Sequence, residues 1–409
     1  MKARLLLYMG MTTALLGRTA EAGPWNIEPI VGVSTEFNTN PLLSEFDTRS
    51  ETRVAALLDF PVRYDGDAVE FLVRPYGRLT NSQGYSSLAS NYEHLDSTAQ
   101  LINDLGSTTV QASLARDSSL YYAGALVYGV GVARNSESFA GDWTRSFTER
   151  SQLALDVNWV KVRYDEPASL SDVSYNLVNY RYLSGGPTYS YTLSERDTLK
   201  VLANVGLYQS LNGLTQSKSE NLQIGFVHLL SEIWTLSINA GYSESTNTEK
   251  VVNELLYYYY GIIDYETESS KQNGTVYSAT LSRQGERVDL NASASRALQP
   301  TGLAFLSRQD SVNLLATYKQ SERWNFALGA TWQKAVQPQE TAGVAQLNVN
   351  EFGVRYLNTH ISANWYWTPQ LVVTLVATRL AQEYGPPTIS DASTGVDLNI
   401  TYHFLRTEL

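Results

Sequence analysis

The 409-residue chain contains no cysteine, which removes disulfides, thiol catalysis and thiolate metal sites together. Histidine is scarce too, with four copies at positions 94, 228, 360 and 403 and no H-E-x-x-H spacing. Only 17% of residues are charged, and the balance is −11, which disfavours nucleic acid as a partner. Beyond the N-terminus there is no run of about 18 apolar residues, so a bundle of membrane-crossing helices is excluded. Yet 43% of the chain is hydrophobic while mean hydropathy is −0.23. The apolar residues are diluted by Ser, Thr, Asn, Gln and Tyr rather than by charge. Tyrosine alone has 27 copies.

The first residues read as an address. Lys2 and Arg4 precede an apolar stretch from Leu5 to Leu16, and Ala20-Glu21-Ala22 supplies an A-x-A cleavage site before Gly23, although Arg18 is unusual there. We therefore expect a secretory signal peptide over residues 1–22 and one mature domain over 23–409. Cleavage removes three basic residues and one acidic, taking net charge from −11 to −13.

Within the mature chain, apolar and polar residues alternate. In "SERWNFALGATWQ", Trp324, Phe326, Leu328, Ala330 and Trp332 share one face, and Asn325, Ala327, Gly329, Thr331 and Gln333 the other. The same two-residue period runs through Trp234–Tyr242, Val288–Ser295 and Val396–Phe404, and through Leu199–Leu207 with Leu202 as an exception. These are half-buried strands of about ten residues. Short turns join them, centred on Glu149, Glu195, Glu232 and Glu322, with weaker counterparts at Asp65-Gly66, Asp104-Leu105-Gly106, Gly285-Glu286 and Thr368-Pro369. Between the turns lie longer polar segments, such as Asp165–Asn176, Thr246–Asn273 and Ala335–Asn348.

Short turns at one end and long loops at the other are the asymmetry of an outer-membrane barrel. We expect an all-β, transmembrane, antiparallel up-and-down β-barrel of about eighteen strands, the first near Asn26–Phe37 and the last near Thr394–Leu405. Sixteen is the alternative count, because "YYAGALVYGVGVA" within Arg116–Asn135, read here as one loop, could hold strand residues. Trp25, Trp143, Trp234, Trp324, Trp365 and Trp367 lie near the short turns or the chain start, whereas Trp159 and Trp332 lie eight or nine residues up an ascending strand. Eight residues at roughly 3.3 Å, tilted by about 40°, rise about 20 Å, close to the apolar band of such barrels. The two groups then mark two aromatic girdles. A soluble extracellular solenoid, sandwich or propeller is the competing architecture, but it needs neither the girdles nor the unequal connections.

The units "GDWTRSFTERSQLALDVNWVKVRYDE" and "PTYSYTLSERDTLKV", with the opening "VGVSTEFNTNPLL", resemble the outer-membrane β-barrel proteins of exopolysaccharide and PEP-CTERM (exosortase) systems. That resemblance implies a conduit or accessory for polysaccharide crossing the outer membrane, with periplasmic export partners. Such barrels usually end on an aromatic residue, whereas this chain ends at Leu409. Recognition by the barrel-assembly machinery then falls to Tyr402 and Phe404.

On the polar phase, the candidate lumen lining is Asp96, Gln100, Asp142, Asp156, Asn158, Asn204, Asn239, Asp289, Asn291, Asn313, Asn325, Gln333, Asp397 and Asn399. Hydroxyl and amide groups exchange hydrogen bonds with sugar hydroxyls at little net cost, so a glycan chain can slide past them. Any water-filled barrel has a polar wall, so the lining alone does not single out a glycan. Arg53, Arg63, Arg74, Arg78 and Lys200 share the lumen phase, and facing acidic residues across the pore they would set up a transverse field. The loop "NELLYYYYGIIDYETESS" is the candidate constriction or glycan contact through Tyr257, Tyr258, Tyr259, Tyr260 and Tyr265, with a packed extracellular cap as the plainer reading. His94 with Asp96, and Asp397 with His403, are the only acid–histidine candidates for barrel-enzyme chemistry. We expect no enzyme, no cofactor and no metal. The expected role is a passive channel in lipid and lipopolysaccharide of the bacterial outer membrane, exporting exopolysaccharide. The alternatives are a general diffusion or nutrient porin and a plugged structural barrel.

Overall fold

The computed structural model describes residues 25–41, 43, 48–83, 91–118, 133–165, 178–252, 258, 264–300, 306–336, 354–384 and 389–408. The predicted signal peptide lies outside them. In chain order the strands are β1 (Trp25–Ile27), β2 (Ile30–Asn38), β3 (Glu51–Asp59), β4 (Val62–Asp65), β5 (Val69–Gln83), β6 (Tyr92–Asn103) and β7 (Gly106–Ser118). They continue with β8 (Ala133–Ser146), β9 (Ser151–Tyr164), β10 (Tyr180–Thr192), β11 (Asp197–Ser210), β12 (Thr215–Leu229), β13 (Trp234–Val252) and β14 (Tyr265–Arg283). The chain closes with β15 (Val288–Pro300), β16 (Leu306–Lys319), β17 (Trp324–Val336), β18 (Val354–Tyr366), β19 (Leu371–Tyr384), β20 (Ile389–His403) and β21 (Thr407–Glu408).

Eighteen of these make the barrel. β2 pairs with β3, β3 with β5, and each strand from β5 to β20 with the next. The wall closes where β20 meets β2, from Ile30 opposite His403 to Asn38 opposite Gly395. All pairs are antiparallel, and closure leaves no edge strand to satisfy. The three short strands continue the wall at its lower end, β4 pairing with β5 and β1 and β1 with β21, where Glu28-Pro29 and Phe60-Pro61 interrupt two staves and proline withholds a ladder donor.

All eight predicted short turns are present, and the strand count is eighteen, so the sixteen-strand alternative is overturned. Arg116–Asn135 is not one loop from end to end, because β7 runs to Ser118 and β8 starts at Ala133, paired with it. The remaining residues 119–132 lie outside the described part. Thr246–Asn273 also differs from the expectation. β13 and β14 stay paired up to Val252 opposite Tyr265, and β12 stays paired with β13 up to Thr215 opposite Glu249, so most of that segment is strand rather than loop. Thr246, Thr248 and Thr267 favour strand there, and on one face Thr215, Ser217 and Ser245 are buried.

Near the top of these strands Glu249 lies directly across from Glu268. Burial first, and the Glu268 charge second, push the Glu249 carboxyl up from 4.5. A carboxyl raised in the folded state favours folding in its protonated form. Its contribution is complete below the unfolded value and is lost as pH rises through the folded one. Amide exchange at the β13–β14 tip, corrected for intrinsic rates, should therefore be slower at pH 4.5 than at pH 7.5, and Glu268→Gln should shrink the difference.

Candidate functional site

Alternation sends large apolar side chains outward on every stave. Val33, Val54, Leu79, Leu222, Ile224 and Ile361 are each more than half exposed, which a water-facing wall would not tolerate. Towards the short turns, Trp324, Trp365 and Trp367 stack in a near-parallel row with centroids 5.8 and 5.4 Å apart, and Tyr402 packs on Phe404 at 5.1 Å. At the other end, Trp159 stands across from Phe139 and Leu183. One outward step higher the wall turns charged, with Lys161, Arg181, Glu244, Arg296, Asp310 and Lys334. An apolar belt between aromatic rings on a closed barrel has one solvent that suits it. The chain is an outer-membrane β-barrel.

No protein-family model matches this chain, and no curated protein matches it. Among solved structures it is similar to OccK2 (OpdF) of Pseudomonas aeruginosa, crystallised with glucuronate, at 11% identity over 93% of this chain and 98% of that one, TM-score 0.44. It is similar also to a BenF-like porin from Pseudomonas fluorescens at 11% identity, covering 94% and 99% of the two chains, TM-score 0.45. The ferric citrate transporter FecA in its unliganded form gives 7% identity, 94% and 79% coverage, and a TM-score of 0.49.

All fourteen predicted lumen residues sit on the face opposite the exposed apolar side chains. Several are brought together by register alone. Asp142 stands across from Asp156, Asn325 from Asn364, and Asp397 from Glu36. Asn239 donates to Ser278 Oγ at 2.9 Å, and Lys319 lies 3.5 Å from Asp289. The predicted arginines gather on β3, β4 and β5, but their acids are neighbours rather than residues across the pore. Arg74 donates Nε to both carboxylate oxygens of Asp59 at 2.9 and 3.0 Å and Nη2 to Oδ2, Arg53 meets Glu51 at 2.6 Å, and Arg78 lies 3.8 Å from Glu36. Charge on this wall is thus largely compensated locally, by partners on the same strand (Arg53 and Glu51), on the adjacent one (Arg74 and Asp59) or two strands away (Arg78 and Glu36). A cavity of about 380 Å³ opens over it, lined by Arg74, Tyr76, Arg78, Thr80, Tyr92, His94 and Asp96. Tyr76 and Tyr92 meet edge to face at 5.5 Å.

The acid–histidine candidates separate on inspection. His94 Nε2 lies 2.7 Å from Ser113 Oγ and 3.1 Å from Asp96 Oδ1. Both partners use the same ring nitrogen, so the imidazole cannot relay a proton from one to the other as a catalytic triad requires. His403 and Asp397 share a face six residues apart, roughly 20 Å along the strand. Of the predicted tyrosine loop, Tyr257, Tyr259 and Tyr260 lie outside the described residues. Tyr258 is 87% exposed, and Tyr265 opens β14.

What the alternation did not reveal is a hairpin inside the barrel. β14 and β15 pair only as far as Tyr277 opposite Arg296, whereas β15 and β16 stay paired to Pro300 opposite Leu306. Above that split the β15–β16 hairpin parts from β14, while β16 stays paired with β17 as far as Arg308 opposite Val336. Leu298 and Arg308 pack against the lumen face of β13 and β14 at Ser243, Ser245, Gly274 and Val276, leaving a gap of about 20 Å³, room for little more than one water. Leu306, 3% exposed, then joins Val162, Tyr180 and Tyr208 in a buried apolar cluster, where the two tyrosines stack at 5.3 Å. An eighteen-strand barrel is about 36 Å across, and strands five apart on it are separated by roughly 25–30 Å. Contact between β16 and β11 therefore means that the hairpin crosses part of the lumen. One signal for it existed in the sequence: "QPTGLAFL", Gln299–Leu306, is apolar, unlike connections such as Asp165–Asn176 and Ala335–Asn348.

Proposed function

We propose that this chain is a passive channel across the outer membrane, narrowed on one side by the β15–β16 hairpin, and that its cargo is exopolysaccharide. The observation that carries the channel reading is the polar wall of β2, β3 and β5 to β7, which the hairpin, packed on β9 to β11 and on β13 and β14, leaves uncovered among the described residues. Sixteen to eighteen strands leave an aqueous path unless something fills it. The glycan reading draws on the chain's resemblance and on the chemistry of that wall. Tyr76 and Tyr92 offer flat apolar edges to a sugar ring, while Arg74, Thr80 and Asp96 offer donors and acceptors to its hydroxyls. A general diffusion or nutrient porin would share the wall but not a preference for polymer.

Single-channel recording of the refolded mature barrel, with and without soluble polysaccharide, separates these readings. Steady conductance blocked by micromolar polysaccharide supports an export conduit. Conductance indifferent to polysaccharide but permissive to small solutes moves the assignment to a diffusion porin. Closed traces from demonstrably folded barrel overturn the passive channel itself.

A further inference from the structure

We infer that the outward face of β9 and β10, immediately above the apolar belt, is a binding site for the phosphate of an anionic outer-leaflet lipid, built by Lys161, Arg163 and Arg181. Lys161 and Arg181 stand directly opposite one another across the β9–β10 ladder, and Arg163 follows Lys161 on the same face. Like charges facing each other across a strand pair are destabilising unless something offsets them. On the β8 side, Glu137 stands across from Lys161 and the neutral Asn135 from Arg163. Arg181 donates both Nε and Nη2 to the amide oxygen of Gln209, which fixes the guanidinium but leaves its charge in place. Nearby, Arg116 and Asp165 pair with each other at 3.1 Å and cancel. No ion pair to Lys161, Arg163 or Arg181 is present among the described residues.

Elsewhere on the same rim three cations are matched, and Lys334 stands across the ladder from Asp310 with no ion pair among the described residues. Lys271 meets Glu244 at 3.1 Å, Arg296 meets Asp310 at 2.5 Å, and Arg355 meets Glu383 at 3.4 Å. A patch of surplus positive charge on a chain this acidic is therefore local to β9 and β10. Its height names the ligand. Trp159 and Leu183, paired across the same ladder, hold the top of the apolar belt, and Lys161 and Arg181 lie one step above, about 5 Å further out. That is the level at which lipid phosphates meet the hydrocarbon boundary. The Trp159–Leu183 surface below would take acyl chain, while the arginine forks suit phosphate oxygens and the lysine adds a point charge. A soluble phosphate would use the cations but not the apolar surface beneath them.

Native mass spectrometry of the refolded mature barrel in neutral detergent tests this, with lipid A, phosphatidylcholine and inorganic phosphate as probes. Wild type should retain lipid A over phosphatidylcholine, and the triple variant K161Q/R163Q/R181Q should weaken retention by about tenfold or more. Arg355→Gln, on a matched pair, should leave it unchanged, and heat-modifiable gel migration should show each variant folded. Equal retention by the triple variant, or no preference for lipid A by wild type, overturns the site. Displacement of lipid A by equimolar inorganic phosphate overturns the lipid assignment and leaves a simple anion site. Channel conductance plays no part in these readouts, so their failure and failure of the channel reading are distinct.

Discussion

Replacing Leu298–Arg308 by a two-residue Asn-Gly turn is expected to raise single-channel conductance severalfold, because it removes the part of the hairpin that enters the lumen. The β15–β16 register would then close at Ala297 opposite Gln309, where the ladder is still intact, and Asn-Gly supplies the positive φ values of a type I′ turn. A milder variant, Leu306→Ala, tests the same contact without shortening the chain. Leu306 is 3% exposed against Val162, Tyr180 and Tyr208, and truncating such a leucine costs about 2–5 kcal/mol. Because this cost falls on a local anchor rather than on the eighteen-strand ladder, it should free the hairpin before it unfolds the barrel. A shift of about 1.4 kcal/mol changes the closed-to-open ratio tenfold, so the variant should flicker between two conductance levels where the wild type holds one. Wild-type conductance in both folded variants would mean that the hairpin does not limit the path.

Asp117→Ala should be the most destabilising single change outside the hairpin. Asp117 and Arg134 are 7% and 8% exposed, and Arg134 donates to both carboxylate oxygens at 2.5 and 2.8 Å. They lie on adjacent strands β7 and β8, directly opposite one another at the top of the wall. Removing the carboxylate breaks a buried ion pair, which costs about 3–5 kcal/mol, whereas exchanging the pair for apolar residues of similar volume is often close to neutral. The midpoint of urea unfolding in vesicles should fall for Asp117→Ala and largely recover in the double variant Asp117→Leu/Arg134→Met. Equal midpoints for wild type and Asp117→Ala would show that the pair is hydrated and only geometrically buried.

The staves and their order were legible because a strand's period is two and nothing else in this chain competes with it. Each short turn, such as Ser194–Arg196 or Ser321–Arg323, is followed by alternating residues whose apolar set the wall does turn outward. Loop limits were less legible. Polar sequence above the membrane is the same whether it pairs or not, and β13 with β14 goes on pairing well past the belt. The fourteen polar-phase residues also follow from parity, but their partners do not. Arg74 with Asp59, fifteen residues apart, and Glu36 with Asp397, joined only by closure of the barrel, depend on stagger between strands. Lys161 and Arg181 likewise become a pair only through the β9–β10 register.

By itself, then, the sequence determined the period, the eight turns and the face each residue takes along a stave, since these are local consequences of alternation and turn chemistry, while it left the staves at eighteen or sixteen. Only the tertiary structure decided which charges meet, and that the β15–β16 hairpin lies inside the wall. A paired hairpin has the same alternation whether it continues the barrel or folds into it. The choice is made where β14 and β15 part above Arg296, and by the burial of Leu306 against strands five and more places away.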